Sequence, residues 1–318
     1  MPDRLGHRLE KPLFDQLTLI GVGLIGSSLA RVARRQNLAK TIVAIDSSEG
    51  ARKKITALQL ADRVTDDYAD GVKNADCIIL CVPVGACGSV MEKIAPSLKA
   101  GAILSDVGSV KGAIVSQIEP HLPKHVHFVP AHPVAGTEQS GPEAGFATLF
   151  NNRWCILTPP EGTDKNAVAK LRLFWEGAGS NVEEMSPSHH DLVLAITSHL
   201  PHLIAYNIVG TAADLEAVTE SEVIKFSAGG FRDFTRIAAS DPTMWRDVFL
   251  NNKDAVLEML GRFTEDLSAL QRAIRWGDGE MLFDHFTRTR AIRRSIIEIG
   301  QDSATPDFGR QSKDDPAQ

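Results

Sequence analysis

Short apolar runs recur through the first half of the chain, and most are followed by a stretch with helical periodicity. Residues 17–20, 41–45, 76–82, 102–106, 126–131 and 153–158 read as strands, while 27–35, 88–98 and 110–122 carry helical patterns. From Phe14 to about Met185 this alternation predicts an α/β fold: a Rossmann-type, doubly wound, mainly parallel sheet with helices on both faces. Ligands of such sheets sit beyond the carboxyl ends of the strands. The polar residues that directly follow the apolar runs are therefore the first candidates for chemistry.

From about Ser186 the strand pattern stops and helical patterns dominate up to Gly300. Ser186-Pro187 predicts a helix start, with Ser as the cap and Pro at the first helical position. Gly229-Gly230-Phe231 is expected to interrupt the helices, and Ser240-Asp241-Pro242 to start another. Pro201 inside a helical pattern is expected to bend it. The organisation expected is an extension over 1–13, a dinucleotide-binding domain over 14–185, an all-helical domain over 186–300 and a disordered polar tail over 301–318. The helical part has many apolar faces for its size, which points to a homodimer formed through it.

Composition narrows the class without naming a reaction. The 318 residues carry 43% apolar and 23% charged side chains and a net charge of −6. That balance gives no reason to expect nucleic acid or an anionic membrane as a partner. The four cysteines, Cys77, Cys81, Cys87 and Cys155, form no CxxC pair. Cys77 and Cys81, within an apolar run, are expected as buried thiols, and the set suggests no disulfide framework and a reducing compartment. No apolar run approaches the roughly 20 residues of a membrane span, and no signal peptide is apparent, so a cytoplasmic location is expected.

The strongest local signal is Gly21-Val22-Gly23-Leu24-Ile25-Gly26, set between an apolar run and a helical pattern. A second run follows and ends at Asp46, about 20 residues beyond Gly26, as a dinucleotide fingerprint requires. Gly21 allows the tight turn, Gly23 lets backbone approach a pyrophosphate, and Gly26 lets the helix pack closely. The helix N-terminus, at Leu24 and Ile25, offers N–H groups to phosphate. Asp46 would accept hydrogen bonds from ribose hydroxyls and repel a 2′-phosphate, so NAD is expected rather than NADP.

Three polar clusters stand out elsewhere. In Ser105-Asp106-Val107-Gly108-Ser109-Val110-Lys111, Ser109 is placed to cap the next helix. In His132-Pro133-Val134-Ala135-Gly136-Thr137-Glu138, His132 is a candidate acid or base beside a nicotinamide. The third joins Ser198-His199-Leu200-Pro201-His202 to Phe231-Arg232-Asp233-Phe234-Thr235-Arg236. His199 and His202 share a helical face but lack a third metal ligand at suitable spacing, so no metal is expected. Arg232 and Arg236 suit either a carboxylate ligand or a structural ion pair.

These segments, GVGLIGSSLA, SDVGSVK, HPVAGTEQSG, SHLPH and GGFRDFTRIAASDPTMWRD, resemble the prephenate/arogenate dehydrogenase family over about Phe14 to Phe286. The resemblance implies NAD(P)-dependent oxidative decarboxylation of a cyclohexadienol: prephenate to 4-hydroxyphenylpyruvate, or arogenate to tyrosine. It implies that His132 accepts the proton of the ring hydroxyl and that Ser109 orients His132 and that hydroxyl. Arg236 is similar to an arginine that binds a substrate carboxylate, and His202 to a histidine near the substrate side chain. Glu138, Asp233 and Trp245 match a group that shapes and closes the pocket, which makes the helical domain the substrate domain as well.

Two other readings compete. A β-hydroxyacid-type dehydrogenase joins the same nucleotide fold to helices but depends on a lysine, and neither Lys225 nor Lys253 sits in such a motif. A non-catalytic NAD-binding protein would bind NAD without turning over either cyclohexadienol.

Overall fold

The computed structural model describes residues 8–137, 139–219, 225 and 227–298. The expected disordered tail over 301–318, Glu138 and the first seven residues of the expected extension lie outside the described residues. The chain groups into two compact units, Met1–Ile204 with Ile237–Val256, and Ala205–Arg236 with Leu257–Gln318. The first unit thus runs past Met185 to include the start of the helical region.

In the first unit, six strands form one parallel sheet: β1 (Phe14–Ile20), β2 (Ala39–Ile45), β3 (Arg63–Thr65), β4 (Cys77–Leu80), β5 (Ile103–Asp106) and β6 (His127–Phe128). Their order is β3-β2-β1-β4-β5-β6. Every pair in it is parallel. β4 and β5 are buried along their whole length, as strands covered by helices on both faces must be. This explains the unbroken apolar run of β4, whereas β5 ends in the buried polar pair Ser105-Asp106. The strand order reverses between β1 and β4, and the glycine turn follows β1 there. Gly21 N–H donates to the Ile45 carbonyl and Cys81 N–H to the Ile20 carbonyl.

Two expectations for this sheet need correction. The run 126–131 is not one strand: it divides at Pro130 into β6 and β7 (Ala131–Pro133). Proline has no N–H to donate to a ladder, and its carbonyl accepts from Thr158 N–H instead. The run 153–158 supplies β8 (Trp154–Leu157), which joins β7 and β9 (Asn181–Glu184) in a separate three-stranded sheet rather than the main one. Both sheets share one core, in which Leu17, Leu19 and Ile79 lie with Cys155, Leu157, Phe174 and Trp175.

Helices α1 (Leu24–Arg35), α2 (Glu49–Ala57), α3 (Tyr68–Val72), α4 (Cys87–Ile94), α5 (Lys111–Ile118) and α6 (Lys165–Gly177) accompany the strands. Helix α7 (Pro187–Leu194) opens as its sequence predicts, with Ser186 Oγ accepting from His189 N–H at 3.3 Å. A π-helical turn over Ala195–His199 separates it from α8 (Leu200–Thr219). Leu200 N–H reaches back to Ala195, so the expected disturbance at Pro201 takes the form of one wide turn directly before it. The stretch from Pro187 to Leu215 is, by length and composition, apolar enough to cross a membrane. That differs from the expectation of no such run, because its polar residues are interspersed and the apolar ones are not contiguous.

Gly229-Gly230 does not interrupt a helix but opens α9 (Gly229–Thr235). Helix α10 (Pro242–Asn251) is capped by Asp241, whose Oδ1 accepts from Thr243 and Met244 N–H. Helices α11 (Lys253–Trp276) and α12 (Gly279–Glu298) follow. In the second unit Leu257, Ile274, Trp276, Phe283, Phe286 and Ile292 are exposed.

Candidate active site

The nucleotide end of the first unit is made of backbone. Gly21 has φ +84°, and a Cβ there would lie 2.9 Å from the Cys81 carbonyl oxygen. A Cβ on Gly26 would stand 2.4 Å from the Gly21 carbonyl oxygen, so α1 rests directly on the turn. Gly23 differs from both: nothing lies within 4 Å of its Cβ position. Gly23 is also the N-cap of α1 and supplies no side-chain cap, and the first turn, with Leu24 and Ile25, has no acid. Asp46 follows β2 and accepts from Val22 N–H at 3.1 Å and Ser48 N–H at 2.9 Å. It therefore ties the glycine turn to the end of β2. These features suit a dinucleotide: open backbone, uncapped helix N–H groups and a carboxylate beyond the second strand.

The second cluster is made of buried side chains. His132 lies within β7 rather than after a strand, opposite Ile156, and is 8% exposed. Its Nδ1 is 2.8 Å from Nε2 of His190, and His190 Nδ1 is 2.8 Å from Oδ1 of Asp191. Asp191 also accepts from Lys111 N–H at 2.7 Å and Gly112 N–H at 2.8 Å. It thus caps α5, whose N-cap residue Val110 has no side chain to do so. The expected helix-capping role of Ser109 is overturned: the cap comes from 80 residues away. Half-buried Ser109 makes no hydrogen bond to His132, whose Nδ1 is taken by His190.

Lys111 is fully buried, and its ammonium binds the Asp106 carboxylate and the Ala131 carbonyl. Asp106 ends β5 and also accepts from Gly108 N–H at 2.7 Å. One ion pair therefore fixes the loop holding Ser109 and the residue preceding His132.

Burial holds the His132 imidazole well below its usual pKa, and the neighbouring His190, Lys111 and His199 push the same way. Burial also lowers His190, against the opposing pull of the Asp191 carboxylate. Asp191 itself is raised by burial but lowered further by hydrogen bonds from His190, Lys111 and Gly112, and stays below the usual carboxylate range. At neutral pH the set is two neutral imidazoles and one carboxylate.

Beyond the π turn, His199 is fully buried and pushed down to about 4, chiefly by burial. Asn252 Nδ2 lies 3.1 Å from His199 Nδ1 and donates to the Asp191 carbonyl at 2.9 Å. His202 stacks on Trp245 at 3.7 Å between ring centroids, and Trp245 stands 6.1 Å from the His199 ring. Trp245, distant in sequence, thus joins the two histidines. Asp233 lies in α9 and Arg236 directly after it, both in the second unit. Among the described residues no cluster suits a metal ion.

The sequence pattern pointed to no role for His190, Asp191, Lys111 or Asn252. The adjacent base and acid at 190–191, in the first turns of the helix that Ser186-Pro187 opens, were the available signal.

Two family models cover most of the chain: one described as prephenate dehydrogenase, nucleotide-binding domain, over residues 29–184, and one as prephenate dehydrogenase, dimerization domain, over 186–288. The first begins just after the glycine turn. The chain is 44% identical to a cyclohexadienyl dehydrogenase of Zymomonas mobilis over 89% of its own length and 97% of the relative's. It is 36% identical to a prephenate dehydrogenase of Bacillus subtilis over 92% and 79%. The crystal structure of prephenate dehydrogenase from A. aeolicus in complex with hydroxyphenyl propionate and NAD+ matches with a TM-score of 0.83 and 35% identity, covering 89% of this chain and 98% of that one.

Proposed function

The chain belongs to the prephenate dehydrogenase family, and from that premise we propose that His132 is the base in the NAD-dependent oxidative decarboxylation of prephenate and arogenate. The protein is an NAD-dependent dehydrogenase of tyrosine biosynthesis. The observation that carries the role of His132 is its state: a buried imidazole, neutral at physiological pH, hydrogen-bonded through one nitrogen only.

NAD fits the glycine turn, where the space over Gly23 and the uncapped start of α1 can take a pyrophosphate. When bound, it supplies the acceptor for the hydride leaving the ring carbinol carbon. The remaining work falls to side chains. Hydride leaves an alcohol carbon readily only as negative charge builds on its oxygen, so a base must take the hydroxyl proton. His132 Nε2 takes it. Ser109, in the loop pinned by Asp106 and Asp191, is placed by its motif at the same hydroxyl. Loss of CO2 then makes the ring aromatic, a gain that asks little of the protein.

The substrate carries carboxylates, and the family motif assigns the carboxylate cation to Arg236. His202, stacked on Trp245, is assigned to the substrate side chain, and Glu138 and Asp233 to shaping the pocket. The exposed apolar residues of the second unit and the dimerization-domain match support a homodimer. The four free thiols, three of them buried, support a cytoplasmic location. The β-hydroxyacid dehydrogenase alternative gives way to the family match.

The test is NADH formation by the full chain with NAD+ and either prephenate or arogenate. Turnover is expected with both, and the kcat/KM ratio ranks them. NAD binding without turnover of either would overturn the reading. Arg236→Gln is expected chiefly to raise KM, since a carboxylate contact exists in ground and transition states alike. Loss of kcat alone would contradict its role. A preference of the wild type for NADP would contradict the role of Asp46.

A further inference from the structure

Resting on His132 as the base, we infer that His190 and Asp191 are positioning residues that hold His132 in the one tautomer able to take a proton, with hydrogen on Nδ1 and a bare Nε2. The assignment follows from donor and acceptor capacity alone. An ionised carboxylate only accepts, so at 2.8 Å from Asp191 Oδ1 the His190 Nδ1 must carry the hydrogen. A neutral imidazole with hydrogen on Nδ1 has a lone pair on Nε2. The 2.8 Å contact from that Nε2 to His132 Nδ1 can then close only if His132 Nδ1 is the donor. Its Nε2 is left with the lone pair that the hydroxyl proton needs.

The alternative arrangement disables the base. A charged His190 donates from both nitrogens, so His132 Nδ1 would have to accept and its hydrogen would move to Nε2. One extra proton on either histidine therefore silences the pair, which titrates as a unit. The surroundings keep that proton away. Around the two rings stand Lys111 with its ammonium, His199, and the Asp106 and Asp191 carboxylates. The Asp106 charge is engaged by Lys111, and that of Asp191 by His190 and two backbone N–H groups. Because Asp191 also caps α5, His190 is the cleaner residue to vary.

The experiment uses the full chain labelled with 15N-histidine, together with His190→Leu and His190→Gln. In the wild type, His132 is expected to show a protonated Nδ1 and an unprotonated Nε2. His190→Leu removes the acceptor, so kcat should fall about 100-fold or more, the usual worth of a placed base, with KM within about threefold and with mixed tautomers at His132. His190→Gln offers a carbonyl acceptor at a similar reach, and should recover kcat to within about tenfold of wild type and restore the Nδ1–H form. A wild-type His132 protonated on Nε2 would overturn the inference, as would a His190→Leu enzyme with wild-type kcat and pH profile. So would a folded His190→Gln enzyme as slow as His190→Leu. If wild type turns over neither cyclohexadienol, the role of His132 fails instead, while the 15N signals still report which nitrogen is protonated.

Discussion

The glycine turn after β1 presents backbone, whereas the cluster joining β7, α5 and α7 presents side chains. At the turn, three glycines stand within six residues, and two of them have no room for even one carbon. At the cluster, His132, His190, Asp191, Lys111 and Asp106 come from segments up to 85 residues apart and are all at least nine-tenths buried. A phosphate is held by N–H groups that any residue carries, so the turn depends on the absence of Cβ atoms. A proton must move to one named nitrogen, so the cluster depends on which atoms are present and on their charge. The two regions should therefore fail differently when altered.

The largest effect should come from the cluster. His132→Asn removes the base, and kcat should fall by a factor of about 10² to 10⁴, with NAD affinity unchanged by fluorescence titration. A His132→Asn enzyme with the wild-type rate and pH profile would break the contrast outright. Next is Lys111→Met, which leaves the buried Asp106 carboxylate without its cation. Chemical denaturation should show a loss of about 3–5 kcal/mol. A loss under about 1 kcal/mol, the range of an exposed pair, would mean that the pair holds nothing in place.

The cluster should also make stability depend on pH. His132, His190 and His199 all have folded-state pKa values below the free value of 6.5. The unfolded chain therefore binds protons first as pH falls. Stability is complete above about 6.5 and declines toward the value of about 4 at His199. That residue alone contributes on the order of 3 kcal/mol across the window. Urea unfolding at about pH 7 and about pH 5, on either side of the free histidine value, tests this; equal stabilities would remove the electrostatic half of the comparison.

The turn should respond to volume. Gly26→Ala drives a methyl into the Gly21 carbonyl, so about 1–3 kcal/mol of stability should go, along with NAD binding. Gly23→Ala meets nothing in the protein and should leave the thermal midpoint nearly unchanged while raising KM for NAD. If Gly23→Ala destabilised the protein as much as Gly26→Ala, the distinction between the two glycines would be wrong.

The same contrast explains what could be read in advance. The dinucleotide turn is contiguous, and its requirements fall within a short stretch of sequence, from β1 to Asp46. The parallel sheet was legible because strands buried on both faces are continuously apolar. His132 and Ser109 could be singled out as candidates because each follows an apolar run. The partner of His132 was not legible, since nothing in a linear pattern says that residue 190 returns to residue 132. The capping of α5 was misassigned to Ser109 for the same reason: local capping chemistry was present, but Asp191 filled the role from afar. The division of the run 126–131 at Pro130 depended on a pairing of β7 with β8 that the apolar pattern does not encode.

The wide turn at Ala195–His199 carries a consequence of its own. A helix advances about 100° per residue, so the one residue accommodated in that turn sets the angular phase between His190–Asp191 before it and His199–His202 after it. If the same residues ran as regular helix instead, the two pairs would rotate by about 100° relative to each other. His190 could then face His132, or His202 could face Trp245, but not both. The wide turn is what lets a spacing of eight residues from Asp191 to His199 serve both contacts, so a substitution that drove this segment into regular helix at the same length would break one of them.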